Sequence, residues 1–241
     1  MKKNKKLKIT LWILIPLLII GGVVGGFFIY VGNYYHALEY VNNENVEKTS
    51  YYGYDIYSKK NEKADALYIF YPGAKVEAKA YVGLVETIAL ENIDVALVYM
   101  PFNLAFFGIN EASDVINDNK NYTSYYLGGH SLGGAMAGSY EAKDTSNKIK
   151  GLILLASYVT ETQPSTVECL TIKGSEDKVL KQDKYAENKN YFSSRYVEYT
   201  IQGGNHGGFG NYGHQSGDGE ASITNEEQWK ITAEKIKAFI R

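Results

Sequence analysis

The stretch Tyr125–Ala137, YYLGGHSLGGAMA, decides how the rest of this sequence is interpreted. Its centre, GHSLG at residues 129–133, has the form G-x-S-x-G, and an apolar run precedes it while small residues follow it. This context predicts a strand, a sharp turn and a helix, with the Ser131 hydroxyl exposed where helix N–H groups can hold an oxyanion. The alternative is a Gly/Ser turn without function, because the chain contains 24 glycines.

From Tyr51 onward, apolar runs typical of strands alternate with stretches of helical spacing. The predicted strands are residues 51–58 at the sheet edge, 66–73, 94–100, 124–129, 149–157, 168–174 and 195–203, and the predicted helices are 76–90, one ending near 116, one ending near 142, and 225–241. This alternation predicts one α/β domain, residues 51–241, with a mostly parallel sheet. Active sites in such sheets lie beyond the carboxyl ends of the strands.

A serine nucleophile needs a base within reach and an acid that orients the base, in the chain order Ser, Asp or Glu, His. Two carboxylates, Glu176 and Asp177, follow the strand at residues 168–174. We select Asp177, since its shorter side chain suits a loop that turns back toward the site. The alternative is a loop acid that caps the helix after Lys178.

Four histidines are candidates for the base. His206 directly follows the last strand in a glycine-rich loop and is the residue we select, with His214 in reserve. His130 lies inside the motif and should point away from the nucleophile, and His36 should be solvated.

An oxyanion hole needs two backbone N–H groups. We assign one to Leu132, directly after the serine. The other should come from the loop after the early strand, at Ala74, with Gly73 as the adjacent possibility.

The N-terminal region predicts a membrane anchor. Five lysines in residues 1–8 precede the 23 uncharged residues 9–31. As a helix this run is roughly 34 Å long, enough to cross a hydrocarbon core of about 30 Å. The lysines predict a cytoplasmic N-terminus and a domain outside the cell membrane, joined by a polar stalk at residues 32–50 with a helix over 35–41. A cleaved signal peptide is the rival, but this run is longer and lacks a small-residue cleavage site.

Composition excludes other classes of function. Beyond residue 31 the chain carries 20 Lys and Arg against 27 Asp and Glu, so it is a poor candidate for nucleic-acid binding. The one cysteine, Cys169, lies in an apolar run and should be a small buried side chain. Asp218 lacks the spaced acids of a calcium loop, so we expect a plain polar loop at residues 211–219.

Taken together, these motifs resemble the α/β-hydrolase family, in particular the compact bacterial branch related to dienelactone hydrolases. The resemblance is carried by FYPGAKVEAKAY (70–81), MPFNLAFFG (100–108), GGHSLGGAMA (128–137), KGSEDKV (173–179) and residues 203–221. It implies an α/β-hydrolase fold with helices on both faces of the sheet, and a triad of Ser131, Asp177 and His206 without metal or cofactor. The short segment 158–167 leaves no room for a lid domain, and the reduced early strands predict a sheet of about six to seven strands.

We therefore expect a membrane-anchored serine hydrolase, a carboxylesterase acting on small or surface-exposed esters. It should be a monomer, with Phe106 and Phe107 at the rim of an open site or packed in the core. Two alternatives stay open. The same triad could serve an acyltransferase or a peptidase, or the fold could be that of a surface binding protein without catalysis.

Overall fold

The computed structural model describes the backbone of residues 2–240 and the side chains of residues 12–240. The chain forms two compact units that divide between Tyr34 and Tyr35. The lysines of residues 1–8, on which the predicted orientation rests, have side chains outside the described part.

The first unit is the helix α1, Lys2–Gly32. Its apolar segment Trp12–Gly32 has 21 residues and is long and apolar enough to cross a membrane. An apolar helix near the N-terminus occurs both in membrane anchors and in signal sequences.

The second unit is built around one eight-stranded sheet with the order β1-β2-β4-β3-β5-β6-β7-β8. Its strands are β1 Val46–Ser50, β2 Tyr54–Lys59, β3 Ala66–Tyr71, β4 Asp94–Val98, β5 Ser124–His130, β6 Ile149–Leu155, β7 Glu168–Gly174 and β8 Tyr196–Ile201. β1 and β2 pair antiparallel with their neighbours, and all other pairings are parallel. The carboxyl ends of β3, β5, β7 and β8 therefore lie along one edge of the sheet.

Helices cover both faces of this sheet. They are α2 Val82–Ala89, α3 Glu111–Asp118, α4 Leu132–Glu141, α5 Gln182–Glu187 and α6 Asn225–Phe239. Apolar side chains of α2 and α6 join the core on one face, and those of α3 and α4 join the core on the other. The predicted α/β fold with helices on both faces is confirmed, whereas the short helix α5 was not predicted.

Two predictions for the start of the domain are wrong. Residues 35–45 form no helix, since Tyr35 pairs with Val76 in a parallel bridge and its N–H donates to the Lys75 carbonyl at 2.7 Å. Val46–Ser50, expected in the stalk, is strand β1 and takes the edge position beside β2. The sheet consequently has eight strands rather than six to seven.

Glu141, at the end of α4, gives a prediction about stability. Its side chain is buried, and Oε2 has no hydrogen-bond partner among the described residues. Burial, aided by the negative charge of Asp144, raises the pKa of Glu141 to about 8. Between about pH 4.5 and pH 8 the folded chain keeps a proton that the unfolded chain has lost, so stability falls as pH rises through this window.

The variant Glu141→Gln should remove this contribution, which is at most about 1.4 kcal/mol per pH unit. Urea unfolding at pH 5.5 and 8.5 should show a smaller loss of stability for the variant than for the wild type. The exposed Glu234→Gln on α6 is the matched control. Equal losses in all three proteins would contradict a protonated Glu141.

Candidate active site

Ser131 lies in a strained turn between β5 and α4. Its backbone has φ 53° and ψ −122°, a left-handed conformation that few residues other than glycine adopt. The Ser131 N–H donates to the Leu155 carbonyl of β6 at 2.9 Å, and the Ser157 hydroxyl donates to the Ser131 carbonyl at 2.6 Å. Bonds to the neighbouring strand thus hold the turn in place.

The glycines on either side of the serine are required by close packing against the end of β3. A Cβ on Gly129 would lie 2.0 Å from the carbonyl oxygen of Tyr71, and one on Gly133 would lie 2.1 Å from the same oxygen. Gly129 also has φ +152°. Glycine at these two positions therefore lets the turn pack directly against the end of β3.

Asp177 and His206 form a buried pair at the carboxyl ends of β7 and β8. The His206 Nδ1 lies 2.9 Å from the Asp177 Oδ2, and both side chains are almost fully buried. The other oxygen, Oδ1, accepts the N–H groups of Val179 and Leu180 at 2.9 and 2.8 Å. One oxygen of the carboxylate thus contacts the histidine, and the other holds the loop after Asp177. This loop is not the start of a helix, because α5 begins only at Gln182, so Asp177 is not a helix cap.

Ser131 and His206 line the same cavity, which has a volume of about 350 Å³. The Nε2 atom of His206 is buried and has no hydrogen-bond partner among the described residues. Since Nδ1 contacts Asp177, Nε2 is the nitrogen that remains available to accept a proton from a group in the cavity. The remaining walls come from α4, from the segment after β6 and from the loop after Asp177: Leu132, Ala135, Met136, Ser139, Ala156, Ser157, Tyr158, Thr160, Val179, Leu180 and Lys181.

The other three histidines lie apart from the cavity lining. His36 and His214 are exposed on the surface, each 3.8 Å from a glutamate. His130 is buried behind the turn, with its ring centroid 4.6 Å from that of His206. Burial, reinforced by the neighbouring His206, lowers the pKa of His130 well below its ordinary value, so this ring is neutral.

A buried hydrogen-bonded chain links His130 to the loop after β3. The Tyr81 hydroxyl lies 2.8 Å from the His130 Nδ1 and accepts the Gly73 N–H at 3.1 Å. Burial raises the pKa of Tyr81, so the hydroxyl keeps its proton and can donate it to Nδ1. No sequence pattern links these three residues, and this contact was missed.

Replacing Tyr81 by phenylalanine should leave the Gly73 N–H and the His130 Nδ1 without this partner. Each buried polar group left in this way costs about 1–3 kcal/mol, so the free energy of unfolding should fall by at least that amount. Urea titration measures the loss. Tyr52→Phe, at a fully exposed tyrosine, is the matched control and should unfold as the wild type does. Equal stability of both variants would contradict the bond.

The two predicted oxyanion donors belong to different parts of the fold: Leu132 to α4, and Ala74 to the loop after β3. Leu132 is the first residue of α4, and its side chain lines the cavity. The Gly73 N–H is occupied by Tyr81, whereas the Ala74 N–H donates none of the hydrogen bonds found among the described residues. This difference favours Ala74 over Gly73 as the second donor.

Phe106 and Phe107 do not line the cavity. They lie in a short 3₁₀ turn after β4 and are 65% and 46% exposed, so they are not core residues either. The structure instead places Met136, Tyr158 and Thr160 on the cavity wall, and none of the three was predicted as a substrate contact.

The described residues contain no cluster of three or more His, Cys, Asp or Glu side chains that could hold a metal ion. Cys169 is buried in β7, and burial raises the pKa of its thiol. The structure brings the Ser131 hydroxyl and the His206 imidazole to one cavity, and the Asp177 carboxylate contacts this imidazole.

Solved structures with this fold include several esterases. Carboxyl esterase 2 from the mycorrhizal fungus Tuber melanosporum superposes with a TM-score of 0.61 at 11% identity, covering 87% of this chain and 92% of that chain. Est1E from Butyrivibrio proteoclasticus, with ferulic acid bound, gives a TM-score of 0.56 at 15% identity over 84% of this chain and 97% of that chain. Dienelactone hydrolase from Anabaena variabilis gives 0.59 at 9% identity over 82% and 100%.

At these identities the likeness establishes the fold alone. None of the curated protein sequences compared with this chain matches it. The sequence profile of the alpha/beta hydrolase family, however, matches residues 67–230, which is more than half of the chain. The matched range includes Ser131, Asp177 and His206, and the chain belongs to the alpha/beta hydrolase family.

Proposed function

We propose that this protein is a serine hydrolase, and specifically a carboxylesterase, that uses Ser131, His206 and Asp177. One observation carries the proposal. A serine on a strained strand-to-helix turn and a histidine paired with a buried carboxylate line one cavity at the carboxyl edge of the sheet. This combination of nucleophile, base and orienting acid is what acyl transfer through a serine requires.

The reaction follows from the positions of these groups. The Ser131 Oγ attacks the ester carbonyl carbon while the His206 Nε2 takes its proton. Asp177, through its bond to Nδ1, keeps the proton of the neutral imidazole on Nδ1 and stabilises the imidazolium. The Leu132 and Ala74 N–H groups hold the oxyanion, and the protonated histidine gives its proton to the leaving alcohol. Water then gives a proton to His206 and attacks the acyl-enzyme. The carboxylic acid leaves, and Ser131 takes the proton back.

The cavity favours small esters. Its volume of about 350 Å³ is at the lower end of the range for small-molecule pockets. Its wall combines apolar groups such as Met136 and Leu180 with the hydroxyls of Ser139 and Thr160. Residues 158–167 form no helix or strand that could close over a long acyl chain. We expect short acyl esters to be better substrates than long ones.

The location of the enzyme is part of the same proposal. The apolar helix Trp12–Gly32 would anchor the chain in the cell membrane with its N-terminus in the cytoplasm and the catalytic domain outside. We expect membranes from producing cells to retain the protein after an alkaline carbonate wash. Protease added to intact cells should digest the domain, and release into the wash would contradict the anchor.

The proposed chemistry is tested with p-nitrophenyl esters of two to twelve acyl carbons and a fluorophosphonate probe. We expect a burst of one p-nitrophenolate per chain, a rate that falls with acyl length, and a single labelled peptide that contains Ser131. A burst with slow turnover that is accelerated by added alcohols or amines would favour an acyltransferase, and cleavage of peptide amides would favour a peptidase. Absence of both burst and label would favour a binding protein without catalysis.

A further inference from the structure

Asp218 lies in the polar loop that follows His206, and it contacts the loops of both the acid and the base. Its Oδ2 accepts the N–H of Gly207 at 2.8 Å, and its Oδ1 accepts the N–H of Lys178 at 3.3 Å. Gly207 directly follows His206, and Lys178 directly follows Asp177. A single carboxylate thus bonds to the residue after the acid with one oxygen and to the residue after the base with the other.

The loop is held tightly in this position. Oδ1 also accepts the N–H of Gly219 at 2.8 Å, which fixes the Asp218 side chain, and the Asn205 side-chain amide donates to the Gly219 carbonyl at 2.7 Å. A Cβ on Gly219 would lie 1.9 Å from the Glu176 carbonyl oxygen. The backbone at Gly219 therefore packs directly against the residue before Asp177.

The two loops are also joined on the other side of the catalytic pair. The N–H of Ser175 donates to the Ile201 carbonyl at 2.9 Å, and the N–H of Glu176 donates to the Gly204 carbonyl at 2.8 Å. These bonds come before Asp177 and His206 in the chain. Asp218 provides the corresponding link after them, so the pair is clamped from both sides.

The hydrogen bonds that Asp218 accepts also indicate whether its carboxylate could bind a cation. Both oxygens accept backbone N–H groups, whose positive ends point at the place that a cation would take. This carboxylate is therefore suited to holding backbone and not to ligating a metal.

We propose that Asp218 is a positioning residue for the hydrolytic reaction: it joins the loop of Asp177 to the loop of His206 and so sets the contact between them. This inference rests on the proposed function. The 2.9 Å contact between Nδ1 and Oδ2 spans two loops that follow different strands, and it must persist while the imidazole gains and loses a proton. A displacement of about 1 Å between catalytic groups can lower a rate on the order of 100-fold.

The test uses the detergent-solubilised full chain and four variants. Asp218→Ala removes both acceptors. Asp218→Asn keeps the size but turns an NH₂ group toward one of the N–H donors, and Asp218→Glu keeps two acceptor oxygens on a longer side chain. Glu220→Ala, at an exposed carboxylate two residues away, is the matched control. Rates are expressed per active site titrated with the fluorophosphonate, so that unfolded molecules do not contribute.

We expect kcat per titrated site to fall about 10- to 100-fold in Asp218→Ala while KM stays within about twofold, because Asp218 does not line the cavity. Asp218→Asn should lose a comparable factor, Asp218→Glu should recover part of the rate, and Glu220→Ala should match the wild type. If Asp218→Ala does not fold, the isosteric Asp218→Asn decides. A wild-type kcat per site in the folded Asp218 variants would overturn the inference.

Proton NMR separates this inference from the proposed function. The proton shared between the His206 Nδ1 and Asp177 should give a strongly downfield resonance in the wild type and in Glu220→Ala, and this resonance should be lost in Asp218→Ala. If the wild type hydrolyses no ester but the resonance behaves in this way, the proposed function fails and the positioning role stands. If the wild type is an esterase and the resonance is unchanged in Asp218→Ala, only the positioning role fails.

Discussion

Alanine in place of Ser131 should lower kcat for p-nitrophenyl acetate on the order of 10⁴- to 10⁶-fold and abolish the burst. The hydroxyl that forms the acyl-enzyme is lost, and the methyl group of alanine offers the His206 Nε2 no proton to remove. The backbone conformation at residue 131 demands the same strain of alanine as of serine, since both carry a Cβ. We therefore expect the variant to fold and the loss to be chemical.

Stopped-flow release of p-nitrophenolate measures the burst, and thermal unfolding checks the fold. Ser146→Ala, which removes a hydroxyl in the exposed turn before β6, is the matched control and should keep the wild-type burst and rate. A Ser131→Ala variant that hydrolyses the ester at the wild-type rate would exclude Ser131 as the nucleophile.

Local sequence patterns predicted those parts of the fold that leave a mark in consecutive residues, such as an apolar run or a pair of glycines. The central strands β3 and β4 are buried throughout, so their continuous apolar runs were recognisable. The turn at Ser131 was recognisable because only glycines fit beside it. Parallel pairing then brings the ends of β5, β7 and β8 to one edge, which is why Ser131, Asp177 and His206 could be selected.

The start of the domain could not be predicted in this way. Strand β1, VEKTS, buries only Val46 and has no alternating apolar pattern. Its identity as a strand comes from pairing with β2. The course of residues 35–45, which form no helix, likewise depends on distant partners, such as the Glu77 carboxylate that accepts the Ala37 N–H at 3.0 Å.

The contacts around the catalytic pair were hidden for a related reason. Tyr81 and His130 are 49 positions apart, and Asp218 and Lys178 are 40 apart. The partners of Asp218 are backbone N–H groups, which every residue except proline carries, so no side-chain pattern could identify them. Only the folded backbone shows that this acid serves the loops and not a cation.

The second large effect is expected at Asp177. The Asp177→Asn variant should lower kcat on the order of 10⁴-fold while the cavity keeps its shape. The reason lies in the hydrogen bonds that one oxygen of Asp177 accepts. Oδ1 accepts two N–H groups, those of Val179 and Leu180. The amide oxygen of asparagine must keep that position, because an NH₂ group there would face two donors.

The amide nitrogen of the variant consequently faces the Nδ1 of His206. Since an NH₂ group donates, Nδ1 must become the acceptor and the proton of the neutral ring moves to Nε2. Nε2 is the atom that has to receive the Ser131 proton, so the base is blocked even though the ring has not moved. Substrate binding should be little affected, and steady-state kinetics should show a loss in kcat with KM nearly unchanged.

Two further variants make this test specific to Asp177. Asp183→Asn, at an exposed position of α5, applies the same chemical change elsewhere and should be as active as the wild type. Glu176→Gln tests the neighbouring acid, whose Oε1 accepts the Ser175 hydroxyl at 2.9 Å and lies outside the pair. If Glu176→Gln were inactive and Asp177→Asn active, the orienting acid would be Glu176. The His206 ring would then have to turn away from the carboxylate it contacts in this structure.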